Sequence, residues 1–167
     1  MGKQVTMDPV FKSAIFHLEP MPGRPARHVV RHPGGVAVLP VHGDDFLLIR
    51  NHRRAIGHTL LEVPAGTLEL GEDPKQAAVR ELAEETGAVA AKWSSFGHLW
   101  PAPGFCDERL HLFIAEDLTL GAPQLEEHEE IERVLVPQEQ AIQSAAAGDY
   151  ADAKTAVMIL RFASRKG

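Results

Sequence analysis

Between Gly66 and Ala88 the chain reads GTLELGEDPKQAAVRELAEETGA, and this stretch limits the architecture more than any other. Asp73 can accept hydrogen bonds from the first free N–H groups of a helix. Pro74 suits the first helical position, and Gly87 suits the left-handed residue after the last turn. These signals predict a loop over 66–72 and a helix from Pro74 to Thr86. Residues three and four apart share a helix face. Glu81, Glu84 and Glu85 therefore gather on one side, while Ala78, Val79, Leu82 and Ala83 form an apolar side that can pack on a sheet. Like charges on one face cost roughly a few tenths of a kcal/mol per pair. Two arrangements offset that cost. One is a solvated face with Arg80 as the local ion-pair partner; the other is a divalent cation, since hard ions such as Mg2+ take oxygen ligands.

The rest of the chain sets the frame for that helix. A length of 167 residues predicts one domain over 1–167 that can bury its own core. The hydrophobic fraction of 44% is that of an ordinary globular protein. No apolar run approaches the roughly 20 residues that span a bilayer, so no membrane partner is expected. The segment from Met1 to Phe16 lacks the apolar core of a secretory signal. Cys106 is the single cysteine, which excludes an intrachain disulfide and fits a reducing, cytoplasmic setting. A net charge of −6 argues against nucleic acid as the main partner.

Taken in order, Lys12 to Leu18 and Arg27 to Arg31 read as short strands around the turn Pro20-Met21-Pro22-Gly23. Such a hairpin is too small to stand alone and must lie on something. Val36 to Leu39 and Phe46 to Ile49 read as buried strands, and Leu60 to Val63 as a short one leading into Pro64-Ala65-Gly66. Arg50, Arg53 and Arg54 are expected just past a strand end. Strands are expected over Lys92 to Trp100, Leu110 to Ala115 and Ile131 to Val136, with an acidic loop over Leu125 to Glu130. Gln138 to Ala147 reads as a helix stopped by Gly148. Thr155 to Ala163 reads as another, capped by Asp152, with Ala156, Val157, Ile159, Leu160 and Ala163 at helical spacing. Strands mixed with three helices predict an α/β (α+β) fold, a mixed sheet between helical layers with a small N-terminal hairpin over 1–31. The nine histidines form no ligand constellation, and Cys106 has no histidine partner that would make it a nucleophile.

Gly66, five residues, Glu72, seven residues, then Arg80-Glu81-Leu82-Ala83-Glu84-Glu85-Thr86-Gly87 matches the Nudix box, GX5EX7REUXEEXGU, at every fixed position. Only the last apolar position departs, with Ala88 where a larger aliphatic residue is usual. The chain thus resembles a Nudix hydrolase, and the resemblance implies that family's α/β/α sandwich. Beyond the box, Glu62-Val63-Pro64-Ala65-Gly66 is similar to a run in the ADP-ribose pyrophosphatase subgroup, as is Pro103, 15 residues past Ala88, followed by Gly104. The resemblance covers roughly residues 28 to 160.

By this resemblance Glu81, Glu84, Glu85 and the Ala65 carbonyl hold Mg2+, with Mn2+ an alternative, and Glu72 and Arg80, with Gly66 and Gly87, brace the loop and helix. Arg54, then Arg50, contact the substrate's phosphates, with Pro103, Gly104 and Glu108 near the substrate. Glu129, then Glu127, handles the proton of the attacking water. The implied activity is hydrolysis of the ADP-ribose pyrophosphate by a homodimer, to AMP and ribose 5-phosphate. Two other readings stay open: a Nudix enzyme for another nucleotide, such as GDP-mannose or an oxidised nucleoside triphosphate, or a ligand-sensing module without hydrolysis.

Overall fold

The computed structural model describes residues 9–125 and 130–166. Its central sheet carries β10 (Ile131–Pro137), β5 (Asp45–Arg53), β4 (Gly35–His42), β9 (Leu110–Leu120) and β8 (Ala88–Leu99), in that order. β4 and β9 run parallel and the other neighbours antiparallel, so the sheet is mixed. Two short strands, β6 (His58–Glu62) and β7 (Ala65–Thr67), pair with β5 and β4. α1 (Pro74–Thr86) covers one face, and α2 (Gln138–Ala147) and α3 (Ala153–Lys166) cover the other.

This layering explains the unbroken apolar runs. Successive strand residues point to opposite faces. Val36 and Val38 pack with Ala77, Ala78 and Leu82 of α1, while Ala37 and Leu39 pack with Ala141 of α2 and Met158, Ile159 and Phe162 of α3. A strand buried on both faces has no place for polar alternation.

Helix boundaries match the sequence reading at α1 and α2; the faces differ. Val79 is exposed and Ala77 is buried in its place, because α1 turns Ala77, Ala78 and Leu82 onto the sheet. In α3 the core face is Thr155, Met158, Ile159 and Phe162, and Leu160 is exposed. The strands run longer than expected, since backbone pairing continues past the apolar stretch. β5 reaches Arg53, so Arg50 and Arg53 lie within the strand and only Arg54 is beyond it. β8 starts directly after Gly87, which adopts the left-handed conformation at φ 67°.

The N-terminal strands β1 (Phe11–Lys12), β2 (His17–Met21) and β3 (Arg24–Arg31) form their own three-stranded sheet. It is tied to the loop between β8 and β9. Val30 N–H donates to the Phe105 carbonyl, Asp107 N–H to the Val30 carbonyl, and Arg31 pairs with Asp107 at 3.0 Å. Among the described residues no helix is long and apolar enough to cross a membrane.

Candidate active site

The site is built on β7, which α1 meets through Glu85, and on the end of β6, which the start of α3 meets through Lys154. Asp73 caps α1 by accepting from Lys75 and Gln76 N–H, which fixes the helix phase. That phase turns Glu85 inward, where it is 4% exposed. Glu85 Oε2 accepts the Ala65 N–H at 2.9 Å. Glu81 lies beside Gly66 so closely that a Cβ there would stand 1.9 Å from the Glu81 carboxyl. Only glycine permits this approach, which is the physical content of the first glycine of the motif. Two carboxylates therefore bracket the Ala65–Gly66 backbone.

Arg80 organises the third side. Its Nε and Nη2 donate to the two Glu72 oxygens, both at 3.0 Å, and its Nη1 donates to Glu81 at 2.7 Å and Glu84 at 3.1 Å. Nη2 also donates to the Thr67 carbonyl. The hydrogen bond to Glu72 raises the Arg80 pKa, and Arg80 in turn holds the Glu72 carboxyl below its ordinary range. Glu84 is the most exposed of the three box carboxylates on α1, and a single Arg80 nitrogen bridges it to Glu81.

In front of Ala65 and Gly66 opens a cleft of about 280 Å3, lined also by Arg53, Pro101, Glu108, Asp152 and Lys154. Arg53 is the arginine the structure brings to this cleft. It forks onto Glu62, with Nε–Oε1 at 2.9 Å and Nη2–Oε2 at 2.5 Å, and Lys154 Nζ reaches the same Oε2 at 2.7 Å. Burial pushes the Glu62 carboxyl up, but the two cations outweigh it and hold it below its ordinary value. The hydrogen bond to Glu62 raises Arg53, and the nearby Glu85 charge adds to the rise.

The other expected residues fall in different places. Arg54 is two-thirds exposed and pairs with Glu130 at 3.2 Å. Arg50 stands 3.7 Å from Glu132 and lines a separate hollow under Tyr150. Pro103 and Gly104 are exposed in the β8–β9 loop, and Pro101 and Glu108 of that loop line the cleft. Glu129 and Glu127, the expected bases, lie outside the described residues. Arg53 stood in the sequence within a cluster of three arginines; strand alternation against Glu62 singles it out. Asp152 was legible only as the cap of α3, which it is, accepting the Thr155 N–H at 3.0 Å; Lys154 carried no local signal.

The donor set at Ala65–Gly66 is all oxygen: the Glu81 and Glu85 carboxylates with the backbone carbonyls beside them. That chemistry fits a hard divalent cation, which keeps waters and takes phosphate oxygens in place of a full protein cage. Among the described residues no group of three or more His, Cys, Asp or Glu side chains is set to hold a metal ion by itself.

The Nudix domain family profile matches residues 31–157. The chain belongs to the Nudix family and is one of its hydrolases, a family that generally uses divalent metal ions. It is 40% identical over 136 residues to an ADP-ribose pyrophosphatase of Bacillus subtilis, covering 80% of this chain and 74% of that one. It is 34% identical over 136 residues to a methanol dehydrogenase activator of Bacillus methanolicus, with the same coverage. It is 34% identical over 140 residues to an ADP-ribose pyrophosphatase of Mycobacterium tuberculosis, covering 78% and 67%. A crystal structure of an ADP compounds hydrolase superposes with a TM-score of 0.77 over 96% of this chain and 91% of that one, at 22% identity, which speaks for the fold.

Proposed function

We propose that the protein hydrolyses the pyrophosphate bond of ADP-ribose, giving AMP and ribose 5-phosphate, with Mg2+ as the metal. The observation that carries this reading is the pair Glu81 and Glu85 bracketing Ala65–Gly66 at a cleft walled by Arg53 and Lys154. Two relatives bearing the name ADP-ribose pyrophosphatase support the choice of substrate. Glu81, Glu85 and the Ala65 carbonyl would hold the metal, which would supply charge neutralisation and a more acidic water. Arg53 presents its guanidinium edge to phosphate oxygens, a geometry suited to a bidentate fork. Glu85, held by the Ala65 N–H, stays fixed in position without reorganising. Glu129 is our choice for the group that takes the water's proton. A cytoplasmic setting accords with the single cysteine.

The reading includes a homodimer built on the N-terminal sheet, where Val10, Phe11, Ile15 and Phe16 are exposed. Removing residues 1–28 should give monomers in sedimentation with a raised KM. A truncated chain that stays dimeric with its KM intact overturns that part.

The substrate is tested by offering ADP-ribose, GDP-mannose and oxidised nucleoside triphosphates with Mg2+ or with chelator, and separating products by chromatography. Metal-dependent release of AMP and ribose 5-phosphate is expected. Faster turnover of another nucleotide moves the assignment to that substrate. Glu129→Gln should lose about 100- to 10,000-fold in turnover, the range for a general base. An active Glu129→Gln beside an inactive Glu127→Gln transfers the role to Glu127.

A further inference from the structure

Glu62 is a carboxylate sealed in the protein, 1% exposed, and it pairs with Arg53 and Lys154. Its two cationic partners come from opposite ends of the fold. Arg53 is the last residue of β5, nine positions before Glu62. Lys154 sits in the first turn of α3, 92 positions after it. Lys154 is itself held by Asp152 at 3.0 Å, and its side chain is only 11% exposed. The network thus holds two acids and two bases and is close to neutral around the sealed Glu62.

The same turn of α3 grips the strand that carries the site. Thr155 Oγ1 accepts the Val63 N–H at 2.8 Å, and Asp152 accepts both the Thr155 hydroxyl and the Thr155 N–H. Val63 is followed directly by Pro64, Ala65 and Gly66. One helical turn therefore fixes Glu62 through Lys154 and the backbone after it through Thr155.

Arg53 depends on this arrangement. Its fork uses Nε and Nη2 on Glu62, so the direction of the guanidinium follows the plane of the Glu62 carboxylate. Lys154 binds Oε2, the oxygen that Arg53 Nη2 also uses, and so fixes that plane. Without Lys154 the carboxylate keeps one partner and gains a torsional freedom that Arg53 must share. We infer that Lys154 is a positioning residue, which through Glu62 aims the Arg53 guanidinium into the cleft. The inference rests on the proposed reaction for its kinetic consequences and on geometry alone for its spectroscopic one.

The tests are Lys154→Met, which keeps the stem and removes the charge, and Lys154→Arg, which keeps the charge. In the free protein Arg53 Nε–H should give a resonance protected from solvent exchange, assigned by its loss in Arg53→Lys. Protection should fall in Lys154→Met and return in Lys154→Arg, with far-ultraviolet circular dichroism unchanged. Unaltered protection in Lys154→Met overturns the inference whatever the substrate proves to be. In kinetics, Lys154→Met should raise KM for ADP-ribose about 10- to 100-fold, the scale for losing a group that orients a ligand-binding side chain, with a smaller change in kcat. On an Arg53→Ala background the same change should leave KM unaltered. Additive effects there would mean that Lys154 meets the substrate directly and would overturn the positioning role. If wild type turns over a different nucleotide, the kinetics are repeated with it and the resonance test stands unaffected.

Discussion

Two arginines flank the Ala65–Gly66 strand, and each is surrounded by carboxylates, yet they are held by opposite means. Arg80 draws its acids from its own motif: Glu72 eight positions before it, Glu81 beside it and Glu84 one turn on. Arg53 draws on Glu62, which is sealed and tied to Lys154 from the far end of the chain. The Arg80 cluster is partly solvated and assembled by a loop and one helix. The Arg53 network is centred on a sealed acid, although Arg53 itself is 41% exposed, and it needs β5, β6 and α3 together. A local cluster can form as soon as its loop and helix do; one that joins three elements around a sealed acid exists only in the finished fold.

The strongest test falls on the ground between them. Gly66→Ala pushes a methyl group into the Glu81 carboxyl. Glu81 is the far end of a flexible side chain and must swing away, so turnover should fall about 100-fold, as on loss of an electrostatic stabiliser. Thermal stability should change little. A variant with normal turnover would show that Glu81 need not stand at Gly66. Glu85→Gln should also lose about 100-fold or more in turnover, since its charge is removed with its shape kept; near-normal turnover at saturating Mg2+ would remove Glu85 from the metal-binding set.

Replacing each arginine by methionine separates the two clusters. Arg53→Met leaves the buried Glu62 with one cation, and breaking a buried pair costs about 3 kcal/mol. Arg80→Met leaves Glu72, Glu81 and Glu84, which at 14%, 12% and 43% exposure keep contact with water, and should cost less, with the damage falling on activity. Denaturant midpoints measured side by side decide this, and equal losses would erase the distinction.

Acid should act through both. Glu62 and Glu72 are each held below the ordinary carboxylate value of 4.5. A lowered folded pKa gives stability that is complete above the unfolded value and is lost as pH falls through the lowered one. Stability should therefore hold steady above about pH 5 and decline below about pH 4. Glu62→Gln should flatten that decline more than Glu72→Gln. Added salt should weaken the solvated Glu72–Arg80 contribution and leave the Glu62 contribution nearly intact. The reverse ranking would contradict the burial argument.

The smallest contrast lies in the caps. Asp73→Ala removes two hydrogen bonds to backbone N–H groups and should cost about 1 kcal/mol. Asp152→Ala removes a cap, the Thr155 hydroxyl's acceptor and the Lys154 anchor together, and should cost more. Equal melting shifts would mean that the start of α3 is no more than an ordinary helix end.

What the sequence determined by itself was everything set by neighbours along the chain. The box helix was legible from Asp73, Pro74 and Gly87, because caps act within one turn. The brace of Arg80 on Glu72 was legible as part of the motif, and the buried strands were legible as apolar runs. The faces of α1 and α3 were less so: Val79 and Leu160 are apolar but exposed, because the sheet's shape decides which stripe it covers. Only the tertiary structure decided which of Arg50, Arg53 and Arg54 enters the cleft. Arg53 lies opposite His58, on the face that Glu62 shares, and its side chain reaches Glu62, while Arg50 lies on the other face and lines the hollow beside Tyr150. It also decided that Lys154 belongs to the site. A contact over 92 positions leaves no periodicity or spacing to read, since nothing but the packing of α3 on the sheet brings its two ends together.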